Sequence, residues 1–200
     1  MCVGESFGTY CINKINGLKT KPDFIRGLGD SSRVTADLAV EAVGDSDELL
    51  KELIELSFTQ PYPVSMRSAR VVQLCCEYRP ERILPHIDGI LHRLTDNRID
   101  GVKRSYLKVI NDYLGPEKIE DPGHLVQLCF DWLVSDSESV AVRYHSLGIL
   151  LKICNGIPDL KPELLSVLEM ISEAGTSSKG LNKLLHVSEK QLRQQNQTRK

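Results

Sequence analysis

The chain holds little of what usually marks a chemical site. One tryptophan occurs in 200 residues, and aromatic residues make up 6 %. No apolar run approaches the ~20 residues that a bilayer-spanning helix needs. The opening "MCVGESFGTYCINK" lacks the apolar core of a secretory signal, so a cytoplasmic protein is expected. A net charge of -2 excludes a global attraction to nucleic acid or to an anionic membrane. Strand-type alternation is almost absent, which argues against a sheet.

Six cysteines are present, with no CxxC pair and no Cys/His cluster. That spacing argues against a zinc site or a disulfide framework. Cys75, Cys76, Cys129 and Cys154 each sit among apolar residues and are read as small buried hydrophobes in a reducing compartment. No two of His86, His92, His124, His145 and His186 stand at i, i+4, so no helical metal pair is available. His145 is read as a satisfied groove residue, with a pH-sensitive role as the alternative. The "GLG" at residues 27–29 follows no strand, and no serine sits in a nucleophile elbow. The expectation is a non-enzyme with no catalytic residues, no cofactor and no metal.

What the chain does have is helical periodicity, from about Phe24 onward. "DELLKELIELSF" puts Leu49, Leu50, Leu53, Ile54 and Leu56 on one broad stripe, preceded by Asp45 and Glu48 at capping-box spacing. Similar segments follow: "VSMRSARVVQLCCEY", "PERILPHIDGILHRL", "DGVKRSYLKVINDYL", "DPGHLVQLCFDWLV", "SVAVRYHSLGILLKI" and "LKPELLSVLEMI". Pro122 and Pro162 fall in first helical turns, where a missing N–H loses no partner. Pro85 should kink or restart its helix.

The helices recur in pairs. Arg33, Arg67, Arg104, Arg143 and Lys179 mark every second helix, at intervals of 34, 37, 39 and 36 residues. That is the period of an α-solenoid unit of the HEAT, armadillo or tetratricopeptide kind. A lone helical hairpin cannot bury its apolar stripe, so neighbouring copies must cover one another. Apolar positions of the middle units superpose better at 38, one residue out of step with the arginines. The fold expected is all-α, an α-α superhelix of antiparallel pairs. Residues 1–22 form an N-terminal extension, 23–188 the repeat domain and 189–200 a basic polar tail. From Lys179 to Lys200 six basic residues face one acid, and beyond the last helix the tail is expected to fray.

"CFDWLVSDSESVAVRYHSL", "PELLSVLE" and "PVSMRSARVV" resemble stretches of a family of small bacterial HEAT-like repeat proteins, known mainly from Bacteroidetes. Its members are often labelled, or mislabelled, adenylosuccinate lyase. The resemblance covers most of Phe24 to about Leu185 and implies a right-handed superhelix with no established activity. "SDSESVAVR" resembles the HEAT turn, in which an acid and an arginine form a ladder between units. Asp136 and Arg143 would be that pair, with Asp96 or Asp100 and Arg104 repeating it. The lyase label fits poorly: "GTSSKGLNK" echoes that superfamily's flexible loop without its Met-Pro pair. Ser177 and Ser178 are better explained as helix N-caps. HEAT-like DNA glycosylases use tryptophans, an aspartate and an arginine, and Asp131, Trp132 and Arg143 stand in a related order. Trp132 follows Leu125, Leu128 and Cys129 at helical spacing and is read as core.

Binding without catalysis remains. Between Arg67 and Lys108 nine basic residues face five acids. If second helices line a concave wall, Arg67, Arg70, Lys103, Arg104 and Lys108, with Arg143, form a basic stripe suited to phosphate or an acidic partner. The competing reading is a solvated surface whose ladder arginines are engaged internally. The expected role is a scaffold holding a protein or peptide on its concave face. A nucleic-acid-binding protein, or a degenerate relative of the glycosylases, is the alternative.

Overall fold

The computed structural model describes residues 27–175 and 178–197. Among these residues every regular element is helical, as the periodicity predicts. The chain divides into two compact units, the first ending at Val109 and the second beginning at Ile110.

The first unit contains α1 (Arg33–Val43), α2 (Asp47–Thr59), α3 (Val64–Tyr78), a 3-10 segment (Pro80–His86), α4 (Ile87–Thr95) and α5 (Asp100–Lys108). Helix α2 and α3 pack against each other across a short turn, which makes them antiparallel. α3 also packs against α1 and α5. It is therefore covered on several sides, and its buried residues include Ser65, Ser68 and Ala69 beside Val71, Val72, Leu74 and both adjacent cysteines. Small residues there let neighbouring backbones come close. Gly101 of α5 serves the same end, because a Cβ at that position would stand 2.3 Å from Met66 Cγ.

The turn from α1 to α2 corrects one expectation. Ser46, and not Asp45, is the N-cap: its Oγ accepts from Leu49 N–H at 3.2 Å. Asp45 instead pairs with Arg79 at 2.6 Å. Arg82 fastens the same turn, donating to Gly44 O at 2.8 Å, Ser46 O at 2.9 Å and Asp47 Oδ1 at 2.9 Å. Gly44 closes α1 with φ +47°, a conformation that L side chains rarely adopt. Pro85 falls inside the 3-10 segment, and α4 restarts directly after it at Ile87, as its sequence position predicts.

A π-helical segment (Val109–Leu114) starts on the last residue of the first unit, and the second unit continues with a 3-10 turn (Pro116–Lys118), α6 (Gly123–Val134), α7 (Val140–Gly156), a 3-10 turn (Pro158–Leu160), α8 (Lys161–Ala174) and α9 (Lys179–Gln197). α6 packs with α7 and α8 with α9, and α7 also meets α9. In both units, then, helices one place apart in the chain order touch their successors' partners: α1 with α3, α3 with α5, α7 with α9. This is the neighbour-covers-neighbour arrangement that an incomplete hairpin core demands.

Trp132 is 5 % exposed and belongs to the core with Leu125, Leu128 and Cys129. Cys75, Cys76, Cys129 and Cys154 are all buried and unpaired. The boundary expected after residue 188 falls inside α9, which continues to Gln197. Leu192, 3 % exposed, gives the helix an apolar anchor beyond that point. Arg193 adds ion pairs to Glu169 and Glu189. The 22/23 boundary lies outside the described residues.

Candidate functional site

The second helix of each pair carries the residues of the expected basic stripe, and burial decides what each can do. On α3, Arg67 donates to Ser31 Oγ at 3.0 Å and to Leu28 O at 2.9 Å, while Arg70 donates to Ser31 O at 2.9 Å. Both guanidinium groups hold down the stretch of chain that leads into α1. On α7, Arg143 is 7 % exposed. Its Nε donates to Leu133 O at 3.0 Å and its Nη1 to Asp136 Oδ1 at 3.1 Å. The Asp136–Arg143 pair implied by the resemblance to a HEAT turn is present, but it lies inside the α6–α7 hairpin. There it satisfies a carbonyl at the end of α6, where a helix leaves acceptors unpaired.

On α5 the roles fall one residue away from their expected places. Lys103 is 6 % exposed, whereas Arg104 is exposed and Lys108 half-buried. Residues 102–110 and 142–150 show the same order of buried, half-buried and exposed positions, a structural repeat of 40 residues. Arginine spacing suggested 39 and apolar spacing 38. In the 40-residue register Lys103 matches Arg143, and Arg104 matches the exposed Tyr144. The outward positions are then Asp100 and Arg104 on α5, and Val140 and Tyr144 on α7, with Lys108 and Gly148 half-buried. The first pair is charged. The second is apolar, with Val140 47 % and Tyr144 45 % exposed.

A polar cluster in the second unit went unread in the sequence, apart from His145. The π winding is visible where Gly115 N–H donates to Ile110 O at 3.0 Å, five residues back. One residue along, Asn111 O is taken by the Lys152 ammonium. The Asn111 side chain lies across α7 at Gly148, where a Cβ would stand 2.8 Å from Asn111 Oδ1. Its Nδ2 donates to Asp112 Oδ1 at 2.8 Å and approaches His145 Nδ1 at 3.4 Å. Its Oδ1 is buried and has no hydrogen-bond partner among the described residues. Asp112 Oδ1 also stands 4.0 Å from His145 Nδ1, and the Tyr144 ring meets the imidazole edge-on at 5.5 Å. A glycine in the middle of "YHSLGILL" was the one available signal, since an isolated glycine in a helix costs stability and needs a packing reason.

Several chemical readings can be placed against this geometry. Trp132 and Arg143 are buried, and Asp131 accepts from Gln127 at 2.9 Å. Ser178 caps α9, its Oγ accepting from Leu181 N–H at 3.3 Å, while Ser177 lies outside the described residues. Among the described residues no three His, Cys, Asp or Glu side chains gather as metal ligands. No described helix is long and apolar enough to cross a membrane.

A family model described as a HEAT repeat domain matches residues 29–186 of the chain. No curated protein and no solved structure matches it significantly.

Proposed function

This chain belongs to the HEAT repeat domain family, and from that premise we propose that it is a non-enzymatic scaffold binding a protein or peptide partner. The partner-binding positions lie on the exposed side of the second helices, the side that is concave in HEAT arrays, and each unit is read by itself. The observation that supports this is on α7 of the second unit, where Val140 and Tyr144 are left 47 % and 45 % exposed and suit an apolar segment of a partner. In the first unit Arg104 of α5 is exposed and suits an acidic segment. Arg67, Arg70, Lys103 and Arg143 take no direct part. Their charges are committed to backbone carbonyls or withdrawn into the fold.

The test compares the wild-type chain with Tyr144→Ala and Arg104→Glu in binding to a partner captured from the native cell and then purified. Loss of roughly tenfold or more in affinity for each variant is expected, since exposed aromatic and arginine side chains dominate such interfaces. Unchanged affinity in both variants overturns the assignment of these positions. A parallel titration against duplex DNA at two salt concentrations addresses the alternative. Binding that collapses with salt, together with no protein partner, would favour nucleic acid instead.

A further inference from the structure

We propose that His145, Asn111 and Asp112 form a proton-operated switch that resets the π-helical segment. The orientation of the Asn111 amide follows from its neighbour. An ionised Asp112 carboxylate can only accept, so the atom 2.8 Å from its Oδ1 is the donor Nδ2. That same Nδ2 faces His145 Nδ1 at 3.4 Å, so Nδ1 offers its lone pair and the neutral imidazole carries its proton on Nε2. In this state Asn111 Oδ1 is left buried and without a donor.

Adding a proton to Nδ1 turns an acceptor into a donor and sets N–H against N–H. One rearrangement removes the conflict and gives Oδ1 a donor, while Nδ2 takes the buried place that Oδ1 held. Asn111 turns its amide over and offers Oδ1 to the new Nδ1–H. Asp112, one-third exposed and 4.0 Å from Nδ1, gives up the amide and pairs with the imidazolium. Because Asn111 and Asp112 are themselves residues of the π segment, this exchange re-seats its backbone.

Charged groups around His145 belong to its own helix and to the elements packed against it. Lys152, on the same helix, is bound to Asn111 O and opposes a second positive charge. α6 turns Leu125, Leu128, Cys129 and Trp132 inward and leaves His124 and Asp131 exposed. Glu117 and Lys118 of the 3-10 turn are exposed, and α9 buries Leu181, Leu185 and Ser188. The 3-10 turn after α7 carries Asp159, which is exposed, and Asp112 stands 4.0 Å from Nδ1.

The test is a titration of the full, 15N-labelled chain from about pH 8 to about pH 5, the range in which histidine changes charge. His145 ring nitrogens, the Asn111 side-chain NH2 and the backbone amides from Asn111 to Gly115 are followed. Expected are an Nε2–H tautomer at high pH and one midpoint shared by all three signals. His145→Gln should abolish the shared step, and Asp112→Asn should move its midpoint to lower pH. The proposal fails if the neutral ring is the Nδ1–H tautomer, if His145 does not titrate, or if it titrates while Asn111 stays still. It fails equally if Asp112→Asn leaves the midpoint unchanged. Should His145→Gln not fold, the wild-type signals and Asp112→Asn decide between these outcomes.

Discussion

A buried guanidinium must be compensated in hydrogen bonds, and Arg143 obtains them from Leu133 O and Asp136. Replacing it with methionine keeps the stem but strands the carbonyl. Arg143→Met is therefore expected to cost about 1–3 kcal/mol in urea denaturation, whereas Arg104→Met at an exposed position should stay within about 0.5 kcal/mol. Equal effects would show that burial does not separate the two arginines. Gly148→Ala forces a methyl to 2.8 Å from Asn111 Oδ1 and should cost about 1–3 kcal/mol. The Asp136–Arg143 pair is legible through the resemblance of "SDSESVAVR" to a HEAT turn, and both partners lie in one hairpin. Lys103 is not legible as the counterpart of Arg143. Selecting arginines fixes attention on residue type, while the equivalence is set by which position turns inward. The long apolar stem of lysine fills that position as well as arginine does. Asn111 and Gly148 escape a reading of the sequence for another reason: the contact joins two helices distant in sequence, and no local period records it.

At the scale of the element, helix ends are where sequence and structure meet most directly. Ser32, Ser46, Ser139 and Ser178 each accept from a backbone N–H three residues on. Such a serine relieves one of the donors that a helix start leaves without a partner. Ser46→Ala and Ser139→Ala should each lower stability by about 1 kcal/mol. Asp45→Ala should cost less than about 1 kcal/mol, because its pair with Arg79 is open to solvent on both sides. Paired denaturation curves for Ser46→Ala and Asp45→Ala check this, and the reverse order would restore Asp45 as the cap. Apolar periodicity locates the helix bodies because the core imposes it. The cap itself is decided by one hydroxyl's distance to one N–H, which neighbouring polar residues imitate in sequence. The π winding of Val109–Leu114 leaves no comparable trace, since a segment of six residues is too short to set an apolar period of its own.

Across the molecule, the repeat is readable because every copy solves the same problem of covering a neighbour's stripe. The division at Val109 is not, since apolar periodicity runs on through Leu107, Val109 and Ile110 without a break. The core that results also fixes the behaviour of the thiols. Burial pushes Cys75 from its ordinary 9.0 to about 11, against the lowering field of Arg82, and Cys76 to about 12. Cys129 and Cys154 are raised by the same loss of solvation. At neutral pH these thiols are protonated in both the folded and the unfolded chain, so they add no pH dependence there. Above about pH 9 the unfolded chain releases thiol protons that the folded chain still holds. Stability therefore falls as pH rises from the ordinary thiol value through the raised ones. The thiols should leave urea midpoints unchanged near neutrality and lower them from about pH 9 toward 11, with a shallower decline in the Cys75→Ala, Cys76→Ala double variant. In native buffer a thiol reagent read by peptide mass should leave these four cysteines unlabelled, and urea should open all of them. Rapid labelling of Cys76 or Cys129 in the folded chain would mean that the stacked pairs do not close over their core.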